Sequence, residues 1–411
     1  MKQTFEPRLR DAKSHSSKTH VARNRKKQGR KSSSQKKTST IDPNRFVHNA
    51  SVRQVESYSA PQRFDDMPLS NAIKKALKTK GFEYPSEIQD KTIKPLTEGR
   101  DLLGIAQTGT GKTAAFLIPI IEQLLKQPKR HYALVVVPTR ELALQVEQEY
   151  KSLTTGMQLH SSCFIGGTNI NKDLQSARKN SHIVIATPGR LLDLVSRKAI
   201  NLSFFHTLVL DEFDRMLDMG FVHDVKRIIA GMSQRKQSLL FSATLDHKQQ
   251  SLIDGILTNP AVVKVSEGNA SAEHIQQDII RLEKGVNKFG VLCEQLQNTS
   301  FVKVILFEET KHKVNRLCKK LNMAGIEADQ IHGNKSQNAR QNALHAFKTG
   351  RVRVLVATDV AARGIDVSDV SHVINYQAPS SFDSYIHRIG RTGRAGKTGM
   401  ALTFIDNEPN N

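Results

Sequence analysis

The sequence predicts an α/β protein of two domains, each a mostly parallel sheet with flanking helices, bordering one cleft. Three observations carry this. Short apolar runs, too short for helices and rich in β-branched residues, alternate with amphipathic stretches in two long series. A polar stretch, SEGNASAEHIQQ (Ser266–Gln277), separates the series. Nearly every apolar run ends in a compact polar motif, which places these motifs at the carboxyl ends of strands, where open α/β sheets bind ligands.

The chain opens with residues 1–57, rich in Ser, Lys, Arg and Gln and without sustained periodicity, which read as a disordered basic arm. The arm holds 15 Lys/Arg and 4 Asp/Glu, so half of the net charge of +22 sits in about one seventh of the 411 residues. A polyanionic partner suits such a surface, because phosphate neutralisation releases counterions. RNRKKQGRKSSSQKK (Arg23–Lys37) also fits a nuclear-localisation signal, although basic runs specify little.

Residues 58–264 are expected to form the first domain, with strands at ALVVV (Ala133–Val137), IVIA (Ile183–Ala186), TLVL (Thr207–Leu210) and LLF (Leu239–Phe241). Residues 265–277 are expected to be the linker. Residues 278–411 form the second domain, with strands at VKVILF (Val302–Phe307), VRVLVA (Val352–Ala357), HVINY (His372–Tyr376) and MALTFI (Met400–Ile405). No apolar run reaches the roughly 20 residues of a membrane helix, and the N-terminus has no apolar signal segment. Cys163, Cys293 and Cys318 fit neither a disulfide framework nor a zinc site, which points to a reducing compartment. A cytoplasmic monomer is expected, or a nuclear one if the cell has a nucleus.

AQTGTGKT (Ala106–Thr113) follows an apolar strand and precedes the helical run AAFLIPIIEQLL. The phosphate-loop pattern asks for Gly, four residues, then Gly-Lys-Ser/Thr. Ala106 departs from it, while Gly111, Lys112 and Thr113 fit. Gly109 and Gly111 let the backbone of Gln107, Thr108 and Thr110 turn its N–H groups inward onto phosphate oxygens at a helix N-terminus. Lys112 would reach the β- and γ-phosphates of ATP and Thr113 would ligate Mg2+. Some 100 residues on, LVLDEFDRMLDMGF (Leu208–Phe221) breaks from an apolar strand into acids. Alone, such a cluster is a solvated strand end. With the loop upstream, Asp211 would hold Mg2+ and Glu212 would deprotonate the attacking water.

In their order these motifs resemble a DEAD-box ATP-dependent RNA helicase, from about Phe64 to Ile405. GFEYPSEIQ (Gly81–Gln89) resembles the Q motif, AQTGTGKT motif I and PTREL (Pro138–Leu142) motif Ia. Gly166-Gly167 resembles the GG element and TPGR (Thr187–Arg190) motif Ib. DEFD stands at motif II, SAT (Ser242–Thr244) at III and ILFEET (Ile305–Thr310) at IV. ATDVAARGID (Ala357–Asp366) stands at V and HRIGRTGR (His387–Arg394) at VI.

The resemblance implies two RecA-like domains. It implies that Gln89 reads adenine, that Phe64 or Phe82 lies beside it, and that Asp366 holds the ribose. Arg391 and Arg394 would be arginine fingers, completing the site only when the domains close. Arg388 would act between domains, and His387 would join it in coupling hydrolysis to unwinding. Arg140, Gly167, Thr187, Arg190, Thr310, Arg340, Thr358, Arg363 and Gly364 would contact RNA phosphate and sugar. These residue types imply sequence-independent binding, with 2′-hydroxyl contacts selecting RNA. Ser242 and Thr244 would bond motif II, through Asp214, and couple hydrolysis to unwinding.

The chain departs from the pattern in three places. Phe213 replaces the alanine of motif II, Glu309 puts a negative charge beside Thr310, and Asn411 ends the chain soon after the last strand. Strand alternation predicts that Phe213 points away from Glu212 and Asp214, onto the sheet. Two other functions compete with this one: an ATP-gated RNA clamp with weak turnover, supported by Phe213 alone, and a DNA helicase, which the motif set disfavours.

Overall fold

The computed structural model describes residues 41–50, 58–107, 109–127, 132–179, 181–245, 247–265, 275–362, 367, 369–393 and 398–406. Thirteen strands fall into two sheets among these residues. The first contains β1 (Leu102–Ile105), β2 (Ala133–Val136), β3 (Ser161–Phe164), β4 (Ile183–Ala186), β5 (Thr207–Leu210), β6 (Gln237–Ser242) and β7 (Ala261–Lys264). Their order is β3-β4-β2-β5-β6-β1-β7, and every pairing is parallel. The second contains β8 (Ile275–Leu282), β9 (Val304–Phe307), β10 (Ala328–Ile331), β11 (Val354–Ala357), β12 (His372–Asn375) and β13 (Gly399–Asp406), all parallel in the order β10-β11-β9-β12-β13-β8.

Both sheets are covered on both faces, which is why their central strands are largely apolar on both sides. In β2, Ala133 and Val135 join one core while Leu134 and Val136 join the other. β9 does the same, with Val304 and Leu306 on one side and Ile305 and Phe307 on the other. The parallel arrangement sends the carboxyl ends of β1, β2, β4, β5 and β6 to one edge of the first sheet. There the chain runs into the phosphate loop, Thr139–Arg140, Thr187, Asp211–Glu212 and Thr244. No helix among the described residues is long and apolar enough to cross a membrane.

Two expectations need correction. The expected linker ends too late, because β8 begins at Ile275 and pairs with β13 over eight residues. The described residues 41–50 of the expected arm are folded: Pro43–Phe46 is a turn of 3-10 helix and Phe46 is fully buried. An apolar residue behind an Asp-Pro start was the available signal. Residues 1–40, 51–57 and 266–274 lie outside the described residues, as do Thr108, Arg363, Gly364, Asp366, Arg394 and residues 407–411.

Candidate active site and nucleic-acid interface

The phosphate loop leaves β1 at Ala106, whose N–H donates to the Ser242 carbonyl at the end of β6 (3.0 Å). Gly109 and Gly111 both have φ of +93°. Gly111 caps the helix Lys112–Lys126 in the left-handed conformation, and a Cβ there would lie 2.6 Å from Gln89 Nε2. Only glycine satisfies both conditions. The Gln89 amide donates to the Gly111 carbonyl (3.1 Å) and accepts from the Ser86 N–H (2.9 Å), which locks the Q-motif helix Glu87–Thr97 to the loop. The Thr110 hydroxyl donates to the Gln107 carbonyl (2.9 Å). Lys112 is 6% exposed, and its ammonium makes no hydrogen bond among the described residues. Thr113 is half-buried beside it.

Asp211 follows β5 and is buried. Burial raises its carboxyl to about 6, against the pull of Lys112, and Glu212 and Asp214 add repulsion. Glu212 sits at φ 53°, ψ 51°, a left-handed conformation that costs a non-glycine residue energy and marks functional sites. Its carboxylate is ion-paired to Arg215 in a buried contact. Asp214 Oδ2 accepts three hydrogen bonds at 3.1 Å, from the N–H groups of Ala243 and Thr244 and from the Thr244 hydroxyl. Motif II and motif III are thereby one hydrogen-bonded unit. Ser242 is a correction: its hydroxyl donates to the Thr244 carbonyl (2.6 Å) rather than to Asp214.

Phe213 packs as expected, for a different reason. It is not in a strand. It starts the helix Phe213–Asp218 and is fully buried with Leu210, Met216 and Leu240 on one face of the sheet. The left-handed turn at Glu212 is what sends the ring into the core while Asp211 and Glu212 stay at the edge. Phe64 is also a correction, because it is 2% exposed in the opposite core. Phe82, 38% exposed, is the ring left available to a base.

On the nucleic-acid side, Gly167 has φ +80° and lies directly under the Arg140 guanidinium. Arg190 is ion-paired to Asp173 and donates to the Thr168 hydroxyl and carbonyl (both 3.0 Å). Thr187 starts the helix Pro188–Ser196. Arg340, expected to contact RNA, is paired through its guanidinium to Glu141 of motif Ia (2.9 Å), and Gln337 also donates to Glu141 (3.4 Å). The two lobes therefore meet at Glu141, a residue the sequence reading passed over. Arg140 is held below its ordinary value by burial first, then by Arg340 and Arg190, with Glu141 opposing.

In the second lobe, Thr310 caps the helix Lys311–Met323, and Glu309 is neutralised by Lys313 (2.7 Å). Thr358 accepts at its carbonyl from Ala361 and Ala362. Arg388, expected between domains, is bonded inside the lobe to Asp359 (2.5 and 2.8 Å), Asn375 (3.1 Å) and the Gln377 carbonyl (2.7 Å). Arg391 is 7% exposed, and its Nε donates to the His387 carbonyl (3.3 Å). His387, Arg388 and Arg391 line a small open cleft with Phe307 and Asp359.

Residues 86–252 match the DEAD/DEAH box helicase family and residues 287–396 the helicase conserved C-terminal domain. The DEAD-box ATP-dependent RNA helicase CshA of Bacillus licheniformis is 44% identical over 342 residues, 83% of this chain and 70% of that protein. The chain belongs to the DEAD-box family of ATP-dependent RNA helicases. The Bacillus subtilis CshA is 43% identical to this helicase, over 83% of it and 69% of the relative. Among solved structures, S. cerevisiae Dbp5 bound to RNA and ADP BeF3 matches with a TM-score of 0.75 at 30% identity, over 84% and 90% of the two chains. Mss116p bound to ssRNA and AMP-PNP also matches at 0.75, with 35% identity, over 82% and 73%. The helicase thus has two RecA-like lobes.

Proposed function

We propose that this helicase hydrolyses ATP at the edge of the first sheet and uses it to separate short RNA duplexes locally, without sequence preference. The observation that carries the nucleotide site is Lys112, a buried ammonium without a hydrogen-bond partner among the described residues. It stands where the helix Lys112–Lys126 leaves its first N–H groups open, so a phosphate would satisfy both. The Thr113 hydroxyl and the Asp211 carboxylate are hard oxygen donors that fit Mg2+, which when bound would offset phosphate charge. Glu212 would accept the proton of the attacking water, its carboxylate held by Arg215. Gln89 joins the base side of the site to the loop through Gly111, so adenine contact and phosphate contact are linked. Arg391 and Arg394 would supply charge to the transferring phosphoryl group from the second lobe, and Asp366 would hold the ribose.

RNA binding is supported by Arg140, which faces the positive charges of Arg340 and Arg190 and whose repulsion from them a phosphate chain would relieve. Thr187, Gly167, Thr310, Thr358, Arg363 and Gly364 would add hydroxyl, backbone and guanidinium contacts. Nothing favours the clamp reading now that Phe213 lies in the core. Phosphate release with and without RNA, measured for wild type and Glu212→Gln, tests the proposal. RNA should stimulate wild type and leave the variant near background, on the order of 10²-fold or more apart, as for a lost general base. Equal release by the two would remove the hydrolytic role of this edge.

A further inference from the structure

The segment 41–50 lies on the second lobe, although the first lobe follows it in sequence. Asp42 accepts from the Asn44 N–H (2.9 Å) and starts the turn Pro43–Phe46. His48 and Gln277 then exchange both backbone hydrogen bonds (2.9 and 2.8 Å), an antiparallel bridge on the outer side of the edge strand β8. Between these anchors, Phe46 is 0% exposed and its ring centre lies 4.7 Å from that of Tyr385. Arg45 holds its guanidinium 4.0 Å above the Phe382 ring. The Tyr385 hydroxyl closes the arrangement by donating to the Gln277 side chain (2.9 Å).

Phe382, Tyr385 and Ile389 are spaced three and four apart, so they share one face of the helix Phe382–Ile389. Phe46, Ile275, Tyr385, Ile389 and Ala401 form a buried cluster of their own. The same helix carries Arg388 into its buried bonds with Asp359 and Asn375 and leads directly to Arg391. Eight residues are too few for a helix to hold itself in water, so packing on these two sides sets its place.

We infer that Asp42–His48 is a positioning strap for hydrolysis: Phe46, acting through Tyr385, fixes the helix that delivers Arg391 to the nucleotide. This rests on the arginine-finger reading of Arg391. Phe46 itself touches no substrate group. A helix displaced by about 1 Å would misplace the guanidinium, and errors of that size cost up to about 10²-fold in rate. Nucleotide affinity, set by the phosphate loop and Gln89 in the other lobe, would not follow.

The test uses the full-length protein with Phe46→Ala, Phe46→Leu, Arg45→Ala and Arg391→Ala. RNA-stimulated kcat, KM for ATP, affinity for a fluorescent ADP and thermal unfolding are measured for each. Phe46→Ala should lower kcat roughly tenfold or more while KM and ADP affinity stay within about twofold, the pattern of an interaction made only in the transition state. Phe46→Leu should restore most of the rate. Arg45→Ala, an exposed change that leaves the core intact, should lower kcat in the same direction by less. Unchanged kcat in folded Phe46→Ala, with Arg391→Ala collapsed, overturns the strap and spares the finger. Unchanged kcat in Arg391→Ala overturns both. Parallel loss of kcat and ADP affinity in Phe46→Ala overturns the strap as a positioning device.

Discussion

At the edge of the first sheet, Lys112, Asp211, Glu212 and Asp214 are each less than a tenth exposed and hang from backbone that only this turn geometry provides. Gly109, Gly111 and Glu212 all take positive φ there. At the second lobe, the arginines sit on or just after a short helix and are held by hydrogen bonds: Arg388 by the side chains of Asp359 and Asn375, Arg391 by the His387 backbone carbonyl. One site is fixed by backbone strain and the other by replaceable contacts. On the proposed function, the first lobe would hold the nucleotide and the proton acceptor Glu212, and the second lobe would add the charge that completes the rate. Second-lobe changes should then lower turnover without lowering nucleotide affinity, as expected when charge stabilisation of the transition state comes from a group outside the nucleotide's own cradle.

Three changes outside the arginine finger sharpen that comparison, from the strongest effect on activity to none. Asp214→Asn weakens the acceptor of three hydrogen bonds that join motif II to motif III. Unwinding per ATP should fall roughly tenfold or more, the equivalent of about one charged hydrogen bond of 1.5–3 kcal/mol. Strand separation and phosphate release measured on the same reaction check it, and unwinding per ATP at the wild-type yield would disconnect this network from coupling.

Phe213→Ala removes a fully buried ring. It should cost about 3–5 kcal/mol in urea unfolding yet keep ATPase within about tenfold below the transition, because the ring faces the core. Collapse of activity at unchanged stability would place the ring in the site.

His372 should matter only to acid stability. Burial against Phe301, with ring centres 3.8 Å apart, lowers it from 6.5 to about 4. The folded form keeps it neutral where the unfolded chain binds a proton, so its contribution is full above pH 6.5 and is lost as pH falls toward 4. In His372→Gln the urea midpoint should fall less between about pH 7 and pH 5 than in wild type, with ATPase near neutral pH unchanged. An identical fall in both proteins contradicts this.

The central strands were legible because both faces are buried and most of their residues are apolar. The four strands that the reading did not single out, β3, β7, β8 and β10, are the four sheet edges. Their polar positions, Ser161, Lys264, Gln276 and Gln330 among them, are tolerated because an edge has one paired side and less cover. Motif positions were legible from chemistry and spacing. Partnerships across the fold were not: Arg340 with Glu141, Arg190 with Asp173 and Arg388 with Asp359 join residues distant in sequence. Phe213 was placed on the right side by the wrong rule, since nothing in DEFD announces a left-handed glutamate. The strap at Phe46 was hidden by the polar composition around it.

Arg391→Ala in the full-length protein tests the division between lobes most directly. RNA-stimulated kcat at saturating ATP and the affinity for fluorescent ADP are measured side by side. The account predicts a loss of kcat of about 10³-fold or more, the range for an arginine finger, with ADP affinity within about twofold of wild type. A kcat near that of wild type, or a loss of nucleotide affinity that matches the loss of rate, would contradict it.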